Sequence, residues 1–96
     1  MTRRRYLVTY DIVEDKPRTK LFKLLRGWGD HVQYSVFICE LTARERIRLS
    51  GRIAEIVEHE QDQVLFVDLG QASEEPAAVV ESIGRAYLPP LRVIVV

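Results

Sequence analysis

Asp11 is the side chain best placed to do chemistry. It follows directly on Arg5-Tyr6-Leu7-Val8-Thr9-Tyr10, a β-branched, aromatic and leucine-rich run that reads as a short strand delivering one carboxylate to its end. Alternation along the strand puts Tyr6, Val8 and Tyr10 on one side and Leu7 and Thr9 with Asp11 on the other. An acid held by a rigid element favours a site, the plainer alternative being an edge acid that only solvates a turn. One carboxylate is a poor site alone, but a two-fold axis passing near Asp11 would pair it with its copy. Two close carboxylates repel unless a proton or cation lies between them, and a hard cation such as Mg²⁺ accepts oxygen ligands, keeps waters and engages phosphate. Such an ion would activate water for phosphodiester cleavage. Other chemistries lack their signatures: there is no glycine-rich phosphate loop, no Cys and His cluster spaced for zinc and no nucleophile elbow.

The charge pattern points the same way. Net charge is zero, yet residues 1–52 hold 12 Lys and Arg against 6 Asp and Glu, while residues 53–96 hold 2 against 8. A basic half suits a polyanion, because neutralising phosphates releases counterions; ordinary solvated faces are the alternative. Lys16, Lys20 and Lys23 fall on one helical face and are phosphate-binding candidates on the same terms.

With 96 residues, 47% of them hydrophobic, 5 Gly and 4 Pro, the chain reads as one domain spanning 1–96, small enough to gain from self-association. The single Cys39 allows no internal disulfide, and neither a signal peptide nor a membrane-length apolar run is evident. The expectation is a cytoplasmic protein with no membrane contact.

The elements that would position Asp11 follow in order. After the first strand, Asp15 can cap a helix that tolerates Pro17 in its first turn and runs to about Arg26, with Leu21, Leu24, Leu25 and Trp28 as its buried stripe and Gly27 and Gly29 ending it. The run His31 to Leu41 is either one long strand or a hairpin kinked at Gln33 to Ser35. Thr42-Ala43-Arg44-Glu45 has capping-box spacing and opens a second helix to about Glu58, with Ile47, Ile53, Ala54, Ile56 and Val57 apolar. Arg44, Arg48 and Arg52 repeat along it and have Glu45 and Glu55 in reach for intrahelical pairs. Gln63 to Gly70 is a further strand, Ala77 to Ile83 reads as helix or strand, and Leu91 to Val96 is a last β-prone run. The order predicts an α+β, ferredoxin-like βαββαβ sandwich with additional C-terminal strand structure, whose second sheet face is covered in a homodimer. The 71–96 segment would contribute dimer or partner contacts, since an apolar terminal strand needs a pairing partner.

Tyr10-Asp11-Ile12, a charged loop, a Lys/Arg-rich helix and then Val32-Gln33-Tyr34-Ser35-Val36-Phe37 resemble, over roughly residues 5–84, the Cas2 family of CRISPR-associated proteins. The resemblance implies a ferredoxin-like homodimer that works with the adaptation integrase to capture new spacers, with metal-dependent RNase or DNase activity in several members. By this analogy Asp11 is the metal-binding acid, Tyr10 lies beside it, Arg18 is a helix-start arginine, and Ser35 and Phe37 lie in the matching strand motif. Lys20 replaces a second arginine and His31 stands where an arginine often precedes Val-Gln, departures that bear on catalysis more than on binding.

Three readings result. The first is a dimeric nuclease with one Mg²⁺ shared by the two Asp11 and Tyr10, Ser35 and Phe37 around it, acting on RNA or DNA. In the second the dimer is a non-catalytic bridge that binds duplex DNA, and in some settings single-stranded RNA, through Arg3, Arg4, Arg5, Arg18, Lys20, Lys23 and His31, and docks the integrase with its C-terminal segment. The third, remote, is a small-ligand-binding regulatory module, which this fold also hosts.

Overall fold

The first strand forms where its composition demands. In the computed structural model, which describes residues 2–72 and 79–88, β1 spans Arg4–Asp11 and lies inside a four-stranded sheet. It is followed by α1 (Asp15–Arg26), β2 (Asp30–Gln33), β3 (Val36–Leu41), α2 (Ala43–Ala54) and β4 (Gln63–Gln71). The sheet order is β2-β3-β1-β4 with every pairing antiparallel, the ferredoxin-like arrangement in which the first and third strands occupy the middle. The central run from His31 to Leu41 is thus a hairpin, broken at Tyr34 and Ser35.

Both helices cover one face. Tyr6, Val8 and Tyr10 pack there with Phe37, Cys39 and Leu41 of β3, Leu21 and Leu25 of α1, and Leu49 and Ile53 of α2. Leu24 and Trp28 pack at the margin of this core. Opposite, Leu7 pairs with Ile38 and Val67, and Thr9 with Val36 and Leu65. That face is exposed along β4, where Leu65 and Val67 keep 46% and 44% of their surface in solvent.

The helix ends refine the sequence reading. Thr42 and Glu45 form the expected capping box: Glu45 N–H donates to Thr42 Oγ1 (3.2 Å) and Thr42 N–H to Glu45 Oε1 (2.8 Å). Asp15, by contrast, is not a cap. The N-cap is Glu14 without a side-chain bond, and Asp15 is the first helical residue, paired with Arg18. Helix α2 stops at Ala54 rather than near Glu58, because the His59 ring engages the Ala54 carbonyl (2.9 Å) and Asp62 accepts from Glu58 N–H (2.8 Å). Ile47 is 70% exposed, and Leu49 takes the core place assigned to it. Residues 80–83 are not a strand; residues 77–78 and the run Leu91 to Val96 lie outside the described residues. No helix among the described residues is long and apolar enough to cross a membrane.

Candidate functional site at the end of β1

Asp11 is the last residue of β1, opposite Gln63 of β4, and it is exposed. Among the described residues its carboxylate has no hydrogen bond or ion pair. The loop behind it is pinned at two points. Val13 N–H donates to Asp62 Oδ1 (2.9 Å), and the Ile12 carbonyl accepts from Arg18 Nη1 (2.9 Å). Arg18 also pairs with Asp15, so the helix-start arginine is engaged in holding the loop that follows the acid.

Alternation sends Tyr10 to the helix side and Asp11 to the other, so the sheet separates residues that the sequence places side by side. Tyr10 is gathered with Ser35 and Phe37. Its N–H donates to the Ser35 carbonyl (3.1 Å) and its ring stacks on Phe37 (6.4 Å between centroids). Burial pushes the Tyr10 hydroxyl above its ordinary value, against the opposing pull of the Ser35 side chain and the Arg18 charge. Phe37 has no exposed surface and serves as a wall. His31 lies over that wall, 4.9 Å from Phe37 and edge-on to Phe22 at 5.0 Å, with Nε2 3.0 Å from the Tyr34 carbonyl. A carbonyl only accepts, so Nε2 carries a proton. Tyr10, Arg18, Thr19, Phe22, His31, Tyr34 and Ser35 line a cleft of about 420 Å³.

The cations divide into two groups. Lys20 and Lys23 are exposed on α1, and Lys20 lines a groove with Lys16, Glu55 and Glu58. The three N-terminal arginines each meet an acid: Arg3 meets Glu45, Arg4 meets Asp68 at 2.9 Å, and Arg5 meets Glu40 at 3.0 Å. Arg5 is 2% exposed and presents no cation to solvent in this fold, contrary to its assignment as a phosphate contact. The arginines of α2 make no salt bridge among the described residues, because the Glu45 offered to Arg48 is taken by Thr42 and Arg3. No three His, Cys, Asp or Glu side chains among the described residues converge as metal ligands.

Sequence reasoning missed Phe22, Thr19 and Tyr34 as cleft residues. Phe22 had a signal, since it sits one helical turn after Arg18 on the same face; Tyr34 was legible only as the middle of a hairpin.

This geometry has close counterparts. Residues 4–76 match the family model described as CRISPR associated protein Cas2. The chain is 42% identical over 87 residues to a CRISPR-associated endoribonuclease Cas2 of Geobacter sulfurreducens, covering 91% of this chain and 90% of that one. The crystal structure of Streptococcus pyogenes Cas2 superposes with a TM-score of 0.72 at 30% identity, over 83% of this chain and 99% of that one. A chain of a partial Cas6-RT-Cas1–Cas2 complex superposes with a TM-score of 0.69 at 27% identity, over 97% and 98%. A basic first half, an unpaired acid closing the central strand and the Val32 to Phe37 motif thus sit on the shared fold, and the chain belongs to the CRISPR-associated Cas2 family.

Proposed function

We propose that this chain is a homodimeric nucleic-acid-binding partner of the CRISPR adaptation integrase Cas1, with the two copies packed through the sheet face opposite the helices. The observation that carries the dimer is the apolar surface of Leu65 and Val67 on that face, a feature small domains cover by association. The resemblance to a chain of a Cas1–Cas2 assembly supports the partner. Exposed Lys20 and Lys23, with Arg18 at the helix start and His31 when protonated, contact backbone phosphates, which gives affinity without sequence reading. Arg3 and Arg4, half-exposed within their ion pairs, add further contacts. The C-terminal segment docks the integrase.

The test is sedimentation of the purified chain together with fluorescence anisotropy on duplex DNA of two unrelated sequences. Dimers that bind both sequences equally, with affinity falling steeply between about 50 and 200 mM salt, are expected. A monomer at working concentration, or binding indifferent to salt, overturns the reading. An integrase complex that forms equally well without residues 91–96 removes the docking role.

A second reading is favoured by the unpaired state of Asp11. One exposed carboxylate from each subunit, with waters and a phosphate oxygen, matches the donor set that Mg²⁺ accepts. The ion would supply charge stabilisation and an activated water for phosphodiester cleavage of RNA or DNA. The chain's own part is to hold the acid: Asp62 and Arg18 fix the loop behind it, and Tyr10, anchored to Ser35, fixes the strand. Asp11→Ala is expected to abolish divalent-dependent cleavage while preserving folding and duplex affinity. Cleavage at the wild-type rate in that variant refutes it.

A further inference from the structure

Tyr34 stands at the turn between β2 and β3 with 93% of its surface exposed, and its side chain has no ring, hydrogen-bond or ionic partner among the described residues. Nothing in the packing of the hairpin requires an aromatic ring there. Behind it the cleft of about 420 Å³ has one wall of buried aromatic surface, Tyr10, and another made by Phe22 and His31, whose rings meet edge to face at 84°. The floor is stiff. Tyr10, Phe22, Phe37 and His31 are tied into one chain of ring contacts, each between 4.9 and 6.4 Å. At the rim are two hydroxyls, of Thr19 and Ser35, and the guanidinium of Arg18.

We propose that this cleft binds one unpaired nucleobase, with Tyr34 closing over its face, so that the chain distinguishes single-stranded nucleic acid or a frayed end from intact duplex. The inference rests on the nucleic-acid-binding reading above and adds to it the form of the strand. The chemistry selects the ligand in three ways. A planar π face is what exposed and edge-on rings accept, whatever the base, because every base presents one. Hydroxyls and an imidazole at the margin suit the donors and acceptors of a base edge. The guanidinium of Arg18, half-exposed and shared with Asp15, lies at the rim where the attached phosphate would enter, so base and backbone would be met together. A base inside a duplex has both faces covered by its neighbours and cannot offer one to Tyr34, which is the origin of the discrimination.

The experiment measures anisotropy of a short labelled single strand and of the same sequence as duplex, with the wild-type chain, Tyr34→Ala and Tyr34→Phe. Exposure of Tyr34 makes both variants safe for folding, and a thermal melt checks it. Removing one stacked ring weakens single-strand affinity roughly 5- to 100-fold in Tyr34→Ala, with Tyr34→Phe close to wild type and duplex affinity unchanged in both. A 2-aminopurine in the single strand should be quenched by wild type and not by Tyr34→Ala. Equal weakening on both nucleic acids, or none on either, overturns the base site. So does a variant that weakens only the integrase complex, which would mean that a protein side chain fills the cleft. A wild-type chain that binds duplex alone overturns the base site and leaves the bridging function standing; one that binds neither overturns both.

Discussion

An alanine at position 29 would test how the β2–β3 hairpin is seated against the core. Gly29 lies between the end of α1 and the start of β2, and a Cβ built there falls 2.5 Å from Cys39 Sγ, 2.5 Å from the Ile38 carbonyl oxygen and 3.0 Å from Cys39 Cα. Both neighbours belong to β3, a central strand held on one side by β1 and on the other by β2. Cys39 is fully buried, so its sulfur has nowhere to go, and the carbonyl moves only if the strand moves. Overpacking of a well-filled interior costs about 1–3 kcal/mol, and the approach to backbone places this case at about 3. For a domain of this size that is a fall in Tm of roughly 12–24 °C. Thermal unfolding followed by circular dichroism reads it directly. Removing the sulfur as well, in Gly29→Ala with Cys39→Ala, should restore only part of the stability, because the Ile38 carbonyl remains in the way. A Gly29→Ala melt within about 2 °C of wild type would refute the packing argument, since one uncompensated clash of this kind exceeds it.

Three more outcomes follow from individual side chains. Thr42→Ala removes the hydroxyl that accepts from Glu45 N–H and should lower stability by about 1 kcal/mol, a Tm shift of roughly 4–8 °C, with Thr42→Ser near wild type. The Asp68 carboxyl is held below its ordinary value of 3.8 by the Arg4 side chain and then by Gly70 N–H, and that of Glu45 below 4.5 by Thr42 N–H and then by Arg3. Lowered folded-state values mean that the unfolded chain binds the extra protons, so this stabilisation is complete above about pH 4.5 and is lost as pH falls through the folded-state values; urea midpoints from pH 6 downward should show the decline, and Asp68→Asn should make it shallower. Replacing Lys20 and Lys23 by alanine should reduce the slope of log affinity against log salt on duplex DNA by about 0.9 for each phosphate that is no longer neutralised, leaving unfolding unchanged; an unaltered slope removes α1 from the interface.

What was legible in the sequence was local or periodic. The capping box at Thr42 and Glu45 is written in four consecutive residues, and the order of elements in alternating and helical patterns. The α2 core face was misread because Ile47 and Leu49 are both good core residues. They lie about 200° apart on a helix, so only one of them can share a face with Ile53, and Leu49, four positions earlier, is that residue. Arg3, Arg4 and Arg5 looked like a cation cluster because their acids, Glu45, Asp68 and Glu40, come from distant parts of the chain and meet them only once the sheet has formed. The cleft was invisible for the same reason: Tyr10, Phe22 and Tyr34 come from a strand, a helix and a hairpin turn, and no spacing in the sequence brings them together.

The separation of Tyr10 from Asp11 by the sheet changes how the two sites must work together. Consecutive residues on a strand face opposite sides, and the cleft lined by Tyr10 does not include Asp11. What links them is the end of β1 itself. Ser35 holds the Tyr10 amide, Arg18 holds the Ile12 carbonyl, and Asp62 holds the Val13 amide, so the strand end is braced from the hairpin, from α1 and from the loop before β4. A strand seated with a base in the cleft would pass Arg18 to bring its backbone round to the face that carries Asp11. On that route, which crosses a braced edge rather than a pocket, the acid would meet the phosphate next to the bound base. On the two proposals together, the aromatic side of the sheet would choose the form of the nucleic acid, and the acidic side would act on it only with the Asp11 of a second copy alongside.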